Sequence, residues 1–366
     1  MQPPNTREGL RVTTGLTAGD RLPDFQRPDA AGKPCLFFDL HFGQPIALFL
    51  CGRADAPATR AELAALDGGD QDWKKVTRVA VVLGTAAECA ALAEGLKPGF
   101  TLLADDGALT AYLLGAPPAA MTAFVLDDNL RILERLTRAA EPAAFVAEIA
   151  ARYAARPRPG PQVLRQQAPV LFIPHVFDTN LCQGLVALFE ETGGTPSGVA
   201  YIEGDQANWK PDPAVKMRRD IYLQEGPWLE RVKDALARRA LPEIKRCFNF
   251  QVTQHEVFKV IRYDEGAGYF RPHRDNESKD TAHRRFAMTL NLNTGDYAGG
   301  QLRFPEFGPD LYEAGRGGAA IFSCSLLHEA VPVTRGKRYA LLGFFFSDAE
   351  QMASMQHRDV SAGQGR

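Results

Sequence analysis

The stretch YDEGAGYFRPHRDN, Tyr263 to Asn276, sets His273 and Asp275 two residues apart, behind a glycine-rich turn and inside an aromatic run. In an extended segment, residues i and i+2 point to one face, so these two side chains can grip one ion together. Taken alone, an HxD pair is weak evidence, because most such pairs are accidental. The odds change at His328 in SCSLLHEAVPV, 55 residues later, at the end of another apolar run. A fold that pairs the two segments offers two imidazoles and one carboxylate on one side of a metal. That facial set suits non-heme Fe(II), with open positions for a chelating cosubstrate and dioxygen.

Ten residues after His328, Arg338 opens the apolar run RYALLGFFF. A guanidinium at the mouth of such a site can hold a carboxylate by two parallel hydrogen bonds. Lys337 competes for that role, since strand parity cannot be counted through the turn TRGK. Between the histidines lies YAGGQLRFPEFG, whose glycine pair lets a strand pass closely beneath its neighbours. Upstream, APVLFIPHVFDTNLCQGLVALFEETGG reads as a short strand and a helix capped near Asp178, with Leu181, Leu185, Leu188 and Phe189 on one face. A second helix, PWLERVKDALARRAL, follows. Then come closely spaced β-type runs, FNFQVTQHEVFKVIRY, RRFAMTLNLN, GGQLRFP, GGAAIFSCS and RYALLGFFF, which suggest an antiparallel sandwich or jelly roll with helices on one side.

Together the HxD pair, the GGxLxF stretch, the distal histidine and the arginine ten residues on resemble the 2-oxoglutarate/Fe(II)-dependent dioxygenases, in the prolyl 4-hydroxylase-like branch, over residues 168 to 348. The resemblance implies a double-stranded β-helix with flanking helices, and iron held by His273, Asp275 and His328. It implies that Arg338 pairs with the distal carboxylate of 2-oxoglutarate and that Tyr263 hydrogen-bonds the same group. Arg338 is preferred to Lys337 because the family's basic residue stands directly before the aromatic strand. Oxidative decarboxylation of 2-oxoglutarate to succinate and carbon dioxide then drives hydroxylation of an unactivated C–H bond, with ascorbate as a candidate reductant. Asp275 favours hydroxylation over halogenation, because related halogenases carry a small residue there. A peptidyl proline, another protein side chain or a small metabolite all fit as substrate.

Other residues weigh less. Tyr269 and Asn291 are candidates to line the pocket. His283, His255, His175 and His41 read as surface or satisfied histidines. Arg218 and Arg219 read more safely as a solvated face than as a substrate-facing edge.

Residues 156 to 167, from the proline- and arginine-rich stretch RPRPGPQVLRQQ, form an expected linker between a domain at 1 to 155 and one at 168 to 366. Before it, β-type and helical runs alternate: PIALFLCG, ATRAELAAL, VTRVAVVLG, AAECAALAEGL and FTLLADD. A hairpin around Asp127-Asp128-Asn129 and a helix with Phe145, Ile149 and Tyr153 complete an α/β order. With GDRLPDFQRPDAAGKP at its front, this half resembles the peroxiredoxin branch of the thioredoxin-like fold over residues 15 to 155. That family sets its peroxidatic cysteine at a helix start within Pro-x-x-x-Thr-x-x-Cys, where the helix N-terminus favours the thiolate. Here the region reads CGRADAPATRAEL, with Cys51 several residues early, on the strand. Met121 stands where the family's arginine is expected. The half is therefore expected to be a degenerate redoxin, a docking or homodimerising module rather than a second enzyme.

Composition limits the alternatives. The chain has 366 residues, a formal net charge of −2, 45% hydrophobic and 23% charged residues. No basic field points to nucleic acid. No run long enough for a bilayer and no apolar signal core in MQPPNTREGL point to a membrane, so the default address is cytoplasmic. Six cysteines, at 35, 51, 89, 182, 247 and 324, lack CxxC spacing and read as reduced thiols. The competing functions are a thiol peroxidase, which the missing cysteine opposes, and a noncatalytic sensor or scaffold that binds iron and 2-oxoglutarate.

Overall fold

The computed structural model describes residues 15–352 except 41–42, 68–72, 74–75, 97–98, 117–119, 157–159, 162, 204–205 and 211, and only the backbone of 199–210. His41, the chain ends and residues 157–159 and 162 of the expected linker therefore lie outside the described residues. The chain divides into two units, Met1–Pro161 and Gln162–Arg366.

In the first unit a hairpin of β1 (Gln26–Pro28) and β2 (Pro34–Leu36) precedes β3 (Ile46–Arg53), α1 (Pro57–Asp67), β4 (Thr77–Leu83), α2 (Ala86–Leu92), β5 (Thr101–Asp105), α3 (Ala108–Leu114), β6 (Thr122–Leu126), β7 (Ile132–Thr137) and α4 (Pro142–Ala154). The sheet runs in the order β5-β4-β3-β6-β7, with β3, β4 and β5 parallel and β6 and β7 antiparallel to their neighbours. The apolar run of β3 is buried on both faces. Ala47, Phe49 and Cys51 join one core with Phe145, Ile149 and Tyr153 of α4, and Ile46, Leu48 and Leu50 join a second with Leu109 and Leu113 of α3. Parallel strands covered on both sides need such near-continuous apolar sequence. The Tyr153 hydroxyl donates to the Ile46 carbonyl at 2.6 Å and accepts from the Leu126 N–H at 2.9 Å, tying α4 to the middle of the sheet. This is a thioredoxin-like fold.

In the second unit the chain runs through β8 (Leu171–Ile173), α5 (Thr179–Thr192), β9 (Thr195–Pro196), β10 (Val199–Glu203), β11 (Gln206–Lys210), β12 (Lys216–Met217), β13 (Arg219–Tyr222), α6 (Pro227–Arg239), α7 (Leu241–Phe248), β14 (Gln254–His255), β15 (Lys259–Asp264) and β16 (Tyr269–His273). It continues through β17 (Phe286–Asn291), β18 (Ala298–Gly299), β19 (Leu302–Arg303), β20 (Leu311–Tyr312), β21 (Ala319–Ser323), β22 (His328–Ala330), β23 (Val333–Arg335) and β24 (Lys337–Phe346). The larger sheet has the order β8-β21-β17-β24-β15-β13-β9, with β14 also paired to β24; the smaller has the order β12-β16-β22-β19-β20. Both are antiparallel at every pairing, as a double-stranded β-helix requires.

Helices α5, α6 and α7 cover one face of the larger sheet. Leu181, Leu185, Phe189, Val232, Leu236 and Ile244 pack there on Val260 of β15 and Tyr339, Leu341 and Phe345 of β24. Side chains alternate across a strand, so the other parity of these two strands faces the interior between the sheets. Lys259, Ile261 and Tyr263 of β15 and Arg338, Leu342 and Phe344 of β24 all line that interior. Asp178 caps α5 by accepting from the Leu181 N–H at 2.7 Å.

Candidate metal centre

His273 closes β16 and His328 opens β22, and the two residues are direct register partners across the smaller sheet. Asp275 follows in a turn rather than on the strand itself. Its N–H donates to the Cys324 carbonyl at 3.0 Å, Asn276 Nδ2 donates to Ser325 Oγ at 2.8 Å, and Arg274 donates to the Ser325 carbonyl. Arg284 donates to the Asp275 carbonyl at 3.0 Å while holding Glu256 with two bonds of 2.6 and 2.8 Å. The carboxylate thus owes its direction to a clamped turn, not to strand parity.

One ligand atom from each of His273, Asp275 and His328 lies within 4.8 Å of the others, the one such cluster among the described residues. His273 Nε2 is 3.5 Å from Asp275 Oδ1 and His328 Nε2 is 3.3 Å from Asp275 Oδ2. Nδ1 of His273 lies 2.7 Å from the Arg271 carbonyl, and Nδ1 of His328 lies 2.9 Å from the Leu326 carbonyl. A carbonyl can only accept, so each Nδ1 carries a proton and each Nε2 is the atom turned to the cluster, a lone-pair donor to a metal when the ring is neutral. Hydrogen bonding at the remote nitrogen is what fixes a ligating imidazole in orientation and tautomer. Phe270 stacks on His273 at 3.5 Å between centroids and Phe322 meets His328 edge-on at 4.6 Å, locking both rings.

The electrostatics of the three groups are mutual. Burial pushes the Asp275 carboxyl up, but His328 and His273 facing it hold it well below the usual carboxylate range. Burial pushes His328 down, and the Asp275 charge outweighs it, leaving the imidazole above its ordinary value. His273 is pushed below its ordinary value, chiefly by burial.

A cavity of about 350 Å³ opens on this cluster. Arg338, 3% exposed, extends into it from β24. Among the described residues its guanidinium meets neutral groups, Asn291 Oδ1 at 2.9 Å, Thr289 Oγ1 at 3.3 Å and Tyr297, and its Nε has no hydrogen-bond partner. Tyr263, its register partner on β15, places its ring 5.5 Å from the guanidinium. Gly300 makes room, since a Cβ there would stand 2.8 Å from Arg338 Cδ and 2.9 Å from Val333 Cγ2. Lys337 faces the other way, paired with Glu190 of α5 at 3.5 Å.

Of the remaining sequence candidates, Asn291 is buried and holds Arg338, its Nδ2 donating to the Ala314 carbonyl at 2.9 Å. Tyr269 turns away, donating to the Pro213 carbonyl. His283 pairs with Glu256 at 3.2 Å, and His255 stacks on Phe258. The expectation of a solvated Arg218 is corrected. Arg218 is buried on the cavity wall and bonded to Asp220 at 2.7 and 2.9 Å, whereas Arg219 reaches the Gly193 and Gly194 carbonyls. Lys216, Lys259 and Arg284 also line the cavity, and sequence reasoning passed over them.

The donor set fits the implied cofactors. Two imidazole Nε2 atoms and one carboxylate suit Fe(II), and a buried guanidinium with no anionic partner among the described residues suits the far end of a dicarboxylate.

The comparisons concern the two units separately. The 2OG-Fe(II) oxygenase superfamily model matches residues 258–346, which contain all three cluster residues and Arg338, and the AhpC/TSA family model matches residues 18–135. Among solved structures, a prolyl-4-hydroxylase of Pseudomonas putida is 19% identical, with 49% of this chain and 93% of that chain covered and a TM-score of 0.40. A prolyl hydroxylase of Trichoplax adhaerens, in complex with a hypoxia inducible factor peptide, is 17% identical over 50% of this chain and 86% of that one, with a TM-score of 0.39. A peroxidoxin of Mycobacterium tuberculosis is 23% identical over 39% of this chain and 99% of that one, with a TM-score of 0.35. No curated protein matches the chain. The second unit is a 2-oxoglutarate-dependent dioxygenase domain with Fe(II) as its metal and 2-oxoglutarate as its cosubstrate. Among the described residues, no helix is long and apolar enough to cross a membrane.

Proposed function

We propose that the chain hydroxylates an unactivated C–H bond: substrate, dioxygen and 2-oxoglutarate give the alcohol, succinate and carbon dioxide. The observation that carries this reading is the buried Arg338 guanidinium, in the same cavity as the His273–Asp275–His328 cluster and without an anionic partner among the described residues. Iron and 2-oxoglutarate, when bound, supply the oxidising power for C–H cleavage. The chain's own residues do the rest. His273, Asp275 and His328 hold the metal, with Arg271 and Leu326 fixing the imidazole tautomers. Arg338 and Tyr263 orient the cosubstrate by its distal carboxylate, and Asn291 and Thr289 hold Arg338 in place for it. Phe270, Phe322 and Phe344 give the cavity apolar walls that exclude water, which strengthens each of these charge interactions. Asp275 occupies the position that a halide would need, which supports hydroxylation.

The reading extends to the first unit as a docking or homodimerising module, since its helix α1 holds no cysteine at its start and Cys51 is buried among apolar residues. Six free cysteines support a reducing, cytoplasmic setting. The test is to incubate the iron-loaded protein with cell extract, 2-oxoglutarate and oxygen. Succinate formation matched by a product one oxygen atom heavier supports the reading. Succinate without any oxygenated product, across extract fractions, contradicts it.

A further inference from the structure

The cavity wall carries more positive charge than iron and cosubstrate can use. Of its basic residues, Arg218 is bonded twice to Asp220, Arg284 twice to Glu256, and Arg274 pairs with Glu306 at 2.6 Å. Fe(II), the Asp275 carboxylate and a 2-oxoglutarate dianion together leave one negative charge, which Arg338 balances. Lys216 and Lys259 remain. Among the described residues neither has a carboxylate within ion-pair distance. Lys216 is 7% exposed, and its Nζ donates to the Gly198 carbonyl at 2.5 Å. Lys259 is half-buried, with its Nζ 5.0 Å from the centre of the Tyr222 ring. Buried charges are normally paired, because the desolvation they suffer is otherwise uncompensated.

Their placement is as informative as their number. Lys216 Nζ lies 4.9 Å from the centre of the Phe270 ring, and that ring stacks on His273, so the ammonium stands one aromatic ring from a metal ligand. Lys259 shares the inward face of β15 with Ile261 and Tyr263, and it adds to the positive field at Lys216. Burial, and after it the neighbouring Arg218, pull the Lys216 ammonium down to about 7, so an anion held at its Nζ would favour the charged form.

Resting on the oxygenase reading above, we propose that the substrate is a small organic anion whose carboxylate or phosphate is held by Lys216 and Lys259, beside the iron and apart from Arg338. A cavity of about 350 Å³ holds the cosubstrate and a second small molecule. An anionic head at Lys216 leaves the substrate's carbon chain toward the metal, against Ile261, Phe270 and Leu342.

The test uses the full chain, anaerobic and saturated with Fe(II) and 2-oxoglutarate, titrated by calorimetry with malonate, inorganic phosphate and the uncharged malonamide. The expected result is saturable binding of malonate or phosphate, and not of malonamide. The stronger anion identifies the head group. Lys216→Met and Lys259→Met should each weaken that binding at least about tenfold, the effect of losing about 1.4 kcal/mol. Lys216→Arg, which keeps the charge, should retain most of it and controls for folding. The charge-transfer absorbance of the iron–2-oxoglutarate chelate should titrate in the methionine variants as in the parent. Equal anion affinity in parent and variants overturns the proposal, as does equal binding of malonamide. Loss of 2-oxoglutarate binding in the lysine variants overturns it too, by assigning the lysines to the cosubstrate. Absence of the chelate absorbance in the parent itself defeats the oxygenase reading, and this proposal with it.

Discussion

Cys51 in the first unit and His328 in the second are both buried side chains on strands of a sheet, and the difference between them lies in what each one faces. Cys51, 1% exposed, packs with Phe49, Leu63 and Cys89, and burial followed by the Glu62 charge pushes its thiol well above the ordinary value. It behaves as a small hydrophobe. His328, 5% exposed, faces the Asp275 carboxylate and the wall of a cavity, with its remote nitrogen already committed to a backbone carbonyl. Equal burial silences one residue and prepares the other. Each unit has a fold that elsewhere supports redox chemistry, yet among the described residues only the second assembles metal ligands, a carboxylate partner and a cavity in one place. Fold alone does not confer function; the site does.

The largest effect that would sharpen this contrast comes from the cluster itself. His273→Ala, Asp275→Ala and His328→Ala should each lower iron occupancy by more than the roughly 10–100-fold that loss of an outer partner costs, and 2-oxoglutarate decarboxylation should fall with it. Metal analysis after dialysis checks this.

Arg338→Ala should leave iron bound but weaken 2-oxoglutarate by on the order of 2–5 kcal/mol, roughly one and a half to nearly four decades. Arg338→Lys should recover part of that loss, since an ammonium keeps the charge without the two-pronged geometry. Lys337→Ala should change little, because Lys337 faces Glu190. The reverse pattern would exchange their roles.

Gly300→Ala should cost about 1–3 kcal/mol of stability, because the residue has φ +74° and its new methyl would press on Arg338 Cδ. Thermal unfolding should show the loss, and 2-oxoglutarate affinity should drop alongside it.

The pH dependence is smaller and has a definite sign. In the metal-free protein, the Asp275 carboxyl is depressed and the His328 imidazole raised. The stability from Asp275 is present above its unfolded value of roughly 3.9 and is lost as pH falls through the depressed folded value. That from His328 is present below roughly 6.5 and is lost as pH rises through the raised folded value. Metal-free parent should therefore exceed His328→Gln in Tm most in mildly acid solution, with the gap closing as pH rises. Iron affinity should rise across the same interval, since His328 must shed its proton to ligate.

The smallest expected effect is none at all. Thiol-dependent peroxide consumption should be absent from the parent and unchanged in Cys51→Ser. A peroxidase activity abolished by that change would break the contrast from its other side.

That His273, Asp275 and His328 come together was legible because their spacing survives without coordinates: an HxD, a histidine on a later apolar strand, an arginine ten residues on. The thioredoxin-like unit was legible for a related reason, as parallel strands buried on both faces read as unbroken apolar runs. What stayed hidden is physical too. RYALLGFFF is apolar on both faces, with Tyr339, Leu341 and Phe345 against the helices and Leu342 and Phe344 against the cavity, so its pattern gives no parity to separate Arg338 from Lys337. Asp275 reaches the cluster from a turn, which the i, i+2 argument does not describe. Lys216, Arg218 and Lys259 look like solvent-facing cations in sequence. They point inward because each has a partner there: Arg218 the Asp220 carboxylate, Lys216 the Gly198 carbonyl and Lys259 the Tyr222 ring.

The central claim is that the second unit's three-residue cluster and Arg338 form one iron and 2-oxoglutarate site. Anaerobic addition of Fe(II) and then 2-oxoglutarate, followed by the charge-transfer absorbance of the chelate, tests it directly. The parent should give a saturable signal, Arg338→Ala the same signal at much higher 2-oxoglutarate, and His328→Ala no signal. A parent that binds iron without developing the absorbance, or an Arg338→Ala curve that overlays the parent's, would contradict it.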